Sequence, residues 1–472
     1  MSREKELVKN TVILSIGTYL PKLTSIITLP ILTGFLTRAE LGTYDLITTL
    51  VSLLLPALTL QIQSAAFRFL ISCRNNDERS KSIISNIFAF TIPISLIGLT
   101  ITFFCLNKLT WDIRWLIVLY FFFDIIYIGC GQVARGIGKN LLYASSAGIV
   151  AIINMCGIVL TLLIFDKGLK GILLSLLLSN IVGILLIFFR VKLYRFIDLK
   201  RISLKNIREL LAYSWPMVPN ALSNWVLSLS DRLVILGFLG VEINAVYAVA
   251  NKIPNLVKTF QGTFTSAWQE NASITVDDSD SELYYSNMLD SINNIVVGIV
   301  ASLIALTPIL FKILIRGDYE DAYLQMPLLC IGMYFSCMAG FIGGIYIAHM
   351  KTKSVGLTTV CAAAINLIID LIAMQKIGLY AASLSTLGSY GLLFIFRLFD
   401  VQKFQPLKVK YFKIVSLLAV IISMSVVSYI RIKYLDIING IIGITFAVLI
   451  NKELVEVFTK KTLRKIIKKK KE

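Results

Sequence analysis

The sequence predicts an all-α, polytopic membrane protein of about 14 transmembrane helices: two six-helix halves in parallel repeat, plus two C-terminal helices. Three observations carry this expectation. Apolar residues are in excess, they fall into runs of bilayer length, and the second part of the chain echoes the first.

Of the 472 residues, 57% are hydrophobic, and the mean hydropathy is +0.79. A soluble domain runs at about 45–50% apolar. One soluble core has no room for this surplus, so a second apolar solvent is needed. The runs match the ~20 residues that cross a bilayer as helix. In order they are Thr11–Thr33, Tyr44–Leu70, Ser82–Cys105, Ile113–Val133, Leu141–Phe165, Gly168–Phe189, Ser214–Leu239, Asn244–Ile274, Asn287–Ile315, Ala322–Ala348, Ser354–Met374, Ile377–Phe399, Tyr411–Ile430 and Leu435–Ile450. Helix is the expected form, because lipid offers no partner to a bare backbone amide or carbonyl. The first run exceeds a signal-peptide core and lacks a small-x-small cleavage site after it, so it is expected to be retained. The seven cysteines are odd in number and form no CxxC, which points to helix packing rather than disulfides or zinc.

Orientation follows from Lys and Arg. With the N-terminus inside, the inner loops hold Arg3, Lys5 and Lys9; Arg74, Arg79 and Lys81; Arg135 and Lys139; the basic stretch Arg190–Arg208; Lys351, Lys353, Lys403, Lys408 and Lys410; and the tail from Lys452. The split is roughly 30 inside to 10 outside, as the positive-inside rule requires. The net charge of +18 is then topological, with attraction to anionic lipid sufficient to account for it and no nucleic-acid partner implied. The acidic inner loop at Asp277, Asp278, Asp280 and Glu282 carries little topological weight. Residues 190–213 are basic and read as an amphipathic helix on the membrane surface, with Leu193, Phe196, Leu199, Ile202 and Ile207 on its apolar side. Trp111 and Trp115 at one interface and Trp215 at the other fit an aromatic belt.

The repeat is explicit. Gly34-Phe35-Leu36 followed by Tyr44 recurs as Gly237-Phe238-Leu239 followed by Tyr247. Ile153-Asn154, Gly168, Ser175 and Ser179 recur as Ile365-Asn366, Gly378, Ser385 and Ser389. The expected organisation is a lobe over 1–190, a linker over 191–213, a second lobe over 214–400, two further helices over 401–451 and a basic cytoplasmic tail over 452–472. An even number of helices per half makes the repeat parallel, with a substrate site expected where the halves meet.

Several motifs resemble a known family. Leu29-Pro30-Ile31-Leu32-Thr33 through Glu40-Leu41-Gly42-Thr43-Tyr44 is similar to the first hairpin of polysaccharide-biosynthesis flippases. Arg68-Phe69, Arg135-Gly136-Ile137-Gly138-Lys139, Ser223-Asn224-Trp225 through Asp231-Arg232, Tyr247-Ala248-Val249-Ala250-Asn251-Lys252, Ala267-Trp268 and Asn366 through Gly378 to Ala381-Ala382 follow in that family's order. Gln269 stands where the family often has proline. The resemblance implies the oligosaccharide flippase branch of the multidrug/oligosaccharidyl-lipid/polysaccharide exporter superfamily. It implies as partners a polyprenyl-diphosphate-linked oligosaccharide, membrane lipids, a polysaccharide polymerase and glycosyltransferases, in the cytoplasmic membrane.

No engine is encoded. The stretch Gly131 to Gly136 continues with Ile137 where a P-loop requires Lys. No cofactor motif, metal cluster or catalytic group is expected, and the single histidine, His349, reads as an interfacial polar residue. What remains is charge within apolar runs, which costs ~2.5–3.5 kcal/mol at a helix centre and therefore faces a cavity or a partner. Lys22, Arg68, Arg232, Lys252 and Lys258 suit the phosphate of the implied cargo, or else pair or snorkel. Gln61 and Gln63 offer hydrogen bonds to sugar hydroxyls or between helices. Trp225 offers a ring to stack on a sugar. Asp124 and Asp231 are candidates for ion coupling or gating, or partners for nearby cations. Asp231 and Lys252 are equally distant from the turn at Val241 and Glu242, which predicts that they pair. Two rival readings are a drug antiporter of the same superfamily, which would favour an acidic cavity, and a membrane polymerase or ligase, which would show a long outer loop.

Overall fold

The computed structural model describes residues 3–74, 76–453 and 455–456. Among them every regular element is helical, and 11 helices are long and apolar enough to cross a bilayer. The chain is a multi-pass membrane protein. It divides into two compact units, one ending at Leu229 and the other starting at Ser230. Most of the expected basic tail lies outside the described residues.

The first unit contains α1 (Arg3–Phe35), α2 (Arg38–Thr59), α3 (Ile62–Ser72), α4 (Asp77–Cys105), α5 (Trp111–Gly136), α6 (Asn140–Leu163), α7 (Gly168–Val191), α8 (Leu204–Ser214) and α9 (Met217–Leu229). The turn into α2 is a capping box. Thr37 Oγ1 accepts from the Glu40 amide at 3.2 Å, and Glu40 Oε2 accepts from the Thr37 amide at 3.1 Å. Glu40 Oε1 also accepts from the Leu169 amide at 3.2 Å, tying this turn to the start of α7. Gly168 must be glycine there: its φ is +52°, and a Cβ would collide with Glu40. Lipid supplies no hydrophobic drive between helices, so close approach of small residues replaces it. A Cβ on Gly17 would lie 2.7 Å from Ala144 Cα, and one on Gly157 would lie 2.8 Å from Ser175.

The expected single helix over Tyr44–Leu70 is broken. Leu60 and Gln61 adopt left-handed φ of 46° and 57°, after which Ser64 N donates to Gln61 O at 2.8 Å and α3 begins. Two non-glycine residues in that region cost about 1–2 kcal/mol each. The linker also differs from a continuous amphipathic helix. Short turns at Leu193–Arg195 and Leu199–Arg201 precede α8. They are pinned to the start of α4: Asp198 N donates to Ser85 Oγ at 2.8 Å, Asn86 Nδ2 to Arg201 O at 2.9 Å, and Ser203 N to Asn86 Oδ1 at 2.8 Å. Polar side chains of α4 thus compete successfully for the backbone that a helix would have used.

The second unit contains α10 (Asp231–Phe238), α11 (Val241–Ala250), α12 (Pro254–Thr275), α13 (Ser281–Leu314), α14 (Glu320–Ala348), α15 (Thr352–Ile377), α16 (Tyr380–Val401), α17 (Tyr411–Ile430) and α18 (Lys433–Ile450). Here α14 is the most deeply buried of the membrane-length helices among the described residues. The Trp268 ring stacks 4.4 Å from Phe341, and its Nε1 donates to Phe341 O at 2.8 Å. The last two helices dock on α13: a Cβ on Gly443 would lie 2.4 Å from Ala305 Cβ, and Lys410 and Lys413 both bind Asp290. The expected run Asn244–Ile274 is also interrupted, by a turn at Asn251–Ile253 before Pro254, whose ring nitrogen has no hydrogen to continue a helix.

Candidate functional site

Three helix breaks carry the sequence-predicted polar residues: Gln61 at the α2–α3 break, Asp231 after the break at Ser230, and Lys252 in the α11–α12 turn. Irregular backbone at membrane depth persists only where protein or a water-filled space satisfies it.

The strongest cluster lies in the second unit. Asp231 opens α10 and is buried. Its Oδ2 accepts from Tyr247 OH at 2.5 Å and from Thr386 Oγ1 at 3.0 Å, while its Oδ1 has no donor. Asp370, on α15, is 0% exposed, and neither of its oxygens has a hydrogen-bond donor. It lies beside Asp231 and Ser385, near enough for the two carboxylates to act on each other. Neutral oxygens complete the surroundings. Asn366 Nδ2 donates to Ser385 Oγ at 3.2 Å, Ser230 Oγ donates to Asn366 Oδ1 at 3.4 Å, and Ala382 O accepts from Ser385 at 2.9 Å. The Arg232 guanidinium stands 5.9 Å from the Tyr247 ring.

Two carboxylates near enough to act on each other and away from water repel strongly and lack solvation. Such a pair shares a proton or holds a cation. The available donors are all oxygen, which suits a hard ion and not a soft transition metal. No group of three or more His, Cys, Asp or Glu placed to hold a metal ion occurs among the described residues.

The repeat isolates this chemistry to one half. Tyr247, Asn366 and Ser385 have counterparts Tyr44, Asn154 and Ser175. Asp231, Asp370 and Thr386 align by the same spacings with Thr28, Ile158 and Leu176, which carry no charge.

The expected Asp231–Lys252 pair is not formed. The Asp231 carboxylate turns to Tyr247 and Thr386 instead, because the chain from Tyr247 to Lys252 passes more than a full turn and then leaves the helix. Trp225 lies on α9. It belongs to the first unit, is 8% exposed, and donates from Nε1 to Thr49 O at 3.2 Å and Ser52 Oγ at 3.0 Å. Gln63 is buried, and its Nε2 donates to Gln61 Oε1 at 3.4 Å. Lys22 on α1 and Arg68 on α3 are exposed, Lys252 and Lys258 are half-buried, and Arg232 is buried. Asp124, on α5, accepts from Asn180 Nδ2 at 3.1 Å, a neutral partner and not a cation.

Sequence reasoning missed Asp370, though it lies inside an apolar run, four residues after Asn366 and so on the same helix face. It also missed Arg397, buried in α16 and held by Thr358 Oγ1, Thr359 Oγ1, Val355 O and Ala339 O.

Residues 7–269 match the model of a family described as polysaccharide biosynthesis protein. Among curated proteins, none matches at a significant level. Solved structures do. The lipid II flippase MurJ, in an inward closed conformation, is 14% identical with a TM-score of 0.72, covering 94% of this chain and 100% of that one. A superfamily transporter from Pyrococcus furiosus, described as having reversed binding-pocket polarity, is 12% identical with a TM-score of 0.59, covering 84% and 95%. An outward-facing multidrug MATE transporter is 13% identical with a TM-score of 0.57, covering 87% and 95%. At these identities the likeness is one of fold.

Proposed function

Because this chain belongs to the polysaccharide biosynthesis protein family, we propose that it is a flippase. Its cargo is a polyprenyl-diphosphate-linked oligosaccharide, moved across the cytoplasmic membrane by alternating access for surface polysaccharide synthesis. Both termini face the cytoplasm. The family match and the fold shared with a lipid II flippase support this reading. So does the supply of cations: Lys22, Arg68, Arg232, Lys252 and Lys258 replace water around the phosphates while the polyprenyl tail stays in lipid.

A cation bound at Asp231 and Asp370 drives the cycle. The observation that carries this part is the complete lack of hydrogen-bond donors to the buried Asp370 carboxylate. The incoming ion or proton binds Asp231 and Asp370 together, drawing α10 and α15 toward each other. Its loss restores their repulsion and favours separation. Two arrangements of these helices then differ in energy by the ion's binding, which is what coupling requires.

The test is a vesicle assay with purified protein and a fluorescent polyprenyl-diphosphate disaccharide, scored by reagent access to the outer leaflet. A sodium or proton gradient should accelerate flipping, and Asp370→Asn should remove that acceleration. Arg68→Ala should stop flipping, and Arg68→Lys should reduce it, because the bidentate fork is lost. No flipping of this cargo, with flipping of an amphipathic cation instead, would replace the reading by a drug antiporter.

A further inference from the structure

The motif Arg135-Gly136-Ile137-Gly138-Lys139 ends α5, and four of its features have structural explanations. Gly136 meets α3, where a Cβ would lie 2.7 Å from Leu70 Cβ. Gly138 has φ +88° and backs on to the Arg74 guanidinium. Arg74 Nε donates to Gly136 O at 2.8 Å and Nη2 to Arg135 O at 3.4 Å, capping the carbonyl end of α5. Lys139 Nζ donates to Arg190 O at 3.0 Å and caps α7 in the same way.

Arg135 is left over. Its guanidinium carbon stands 4.4 Å from the Phe67 ring and 5.3 Å from the Tyr143 ring, so aromatic side chains of α3 and α6 hold it. Its Nε is buried without an acceptor among the described residues. Guanidinium carries five donors in one plane. Rings held against its faces leave the edge of the fork free, and the edge is what binds phosphate oxygens in pairs. The clamp also removes the rotational freedom that a long side chain would otherwise lose on binding. Arg68, next in sequence to Phe67, adds an exposed cation on α3. A half-buried arginine whose Nε lacks an acceptor, oriented by two rings and without a carboxylate partner among the described residues, is built for an anion that arrives from outside.

We propose that the Arg135 guanidinium, clamped by Phe67 and Tyr143, is a docking fork for the diphosphate of the lipid-linked cargo at this end of the first unit. This rests on the flippase reading. The same fork would accept a phospholipid phosphate or a free diphosphate, so the experiment separates the three sources. Intact protein in detergent is titrated with undecaprenyl diphosphate, dioleoyl phosphatidylglycerol and inorganic diphosphate, and binding is read by native mass spectrometry. Undecaprenyl diphosphate should bind the wild type at least ten-fold more tightly than Arg135→Gln, with Arg135→Lys between them. Phe67→Leu should weaken binding several-fold by freeing the fork. The two lipid-free and monophosphate probes should bind more weakly than undecaprenyl diphosphate. If Arg135→Gln fails to fold, Arg135→Lys and Phe67→Leu still decide the matter. Undecaprenyl diphosphate binding unchanged in the variants overturns the inference. Equal, Arg135-dependent binding of phosphatidylglycerol overturns it in favour of a phospholipid site, and equal binding of inorganic diphosphate in favour of a free-anion site. A protein that flips cargo with no dependence on Arg135 refutes this inference and leaves the function. Arg135-dependent diphosphate binding by a protein that flips nothing refutes the function and leaves the fork.

Discussion

Replacing Asp370 by Asn should raise the stability of the ion-free protein and abolish its response to cations. Asp370 lies against Asp231, 0% exposed and without a hydrogen-bond donor to either oxygen. Two unit charges ~4 Å apart repel by about 4 kcal/mol at an effective dielectric of ~20. An uncompensated buried charge adds several kcal/mol more. The wild type is therefore expected to rise in stability whenever a proton or cation enters. A ligand at ~100 times its dissociation constant adds about 2.7 kcal/mol, or roughly 3 °C in melting midpoint for a chain of this length. Asn carries no charge, and its amide can donate to Asp231 Oδ1, which lacks a donor. The assay is thermal unfolding of purified protein in sodium, potassium and choline, each from pH 5.5 to 8.5. The wild type should shift with one cation or with pH, and the variant should melt high and flat. A variant that keeps the full wild-type shift would refute the assignment of the ion to this pair. So would a wild type indifferent to all three salts and to pH.

Asp124→Asn should leave that cation response intact, because Asp124 sits in the first unit with Asn180 and without a second carboxylate; loss of the response would move the ion site there. Trp225→Phe removes donation to Thr49 O and Ser52 Oγ and should cost about 1–2 kcal/mol while flipping per folded molecule persists; a folded but inactive variant would place Trp225 in the cargo path. Gly168→Ala meets a left-handed backbone and Glu40, and should lower membrane expression, with Glu40→Ala relieving the clash only in part. The Asp198 carboxyl is held below its ordinary range by the Lys200 amide, then by Arg201. Its folded value is depressed, so its contribution is complete above about pH 4 and is lost as pH falls through that lower value. Normalised to an unstructured peptide cut under the same conditions, pepsin should cut residues 192–203 faster at pH 2 than at pH 4, and Asp198→Asn should reduce that normalised difference.

How much of the fold and site is legible in the sequence depends on the range of the interaction. Hydropathy is a local sum, so the all-helical membrane class was legible, as were the helices over 411–430 and 433–450 beyond the repeat. The family followed from motif order. Glu40 and Gly168 show the limit of a motif: both were visible, and only the fold revealed that they meet. The breaks at Gln61 and at Lys252 were hidden because a polar residue inside an apolar run reads equally well as helix.

The sequence by itself determined the solvent, because an apolar excess and span-length runs admit only a bilayer, and it determined the repeat, because spacing survives translation along a chain. It located Asp231 as costly. Only the tertiary structure decided its partner. Equal depth put Lys252 in reach, but helix rotation is set by packing of side chains far apart in sequence, and packing turned Asp231 toward Tyr247, Thr386 and Asp370. The same reason placed Trp225 against α2 and held the Arg135 guanidinium by two rings from helices that no local pattern relates.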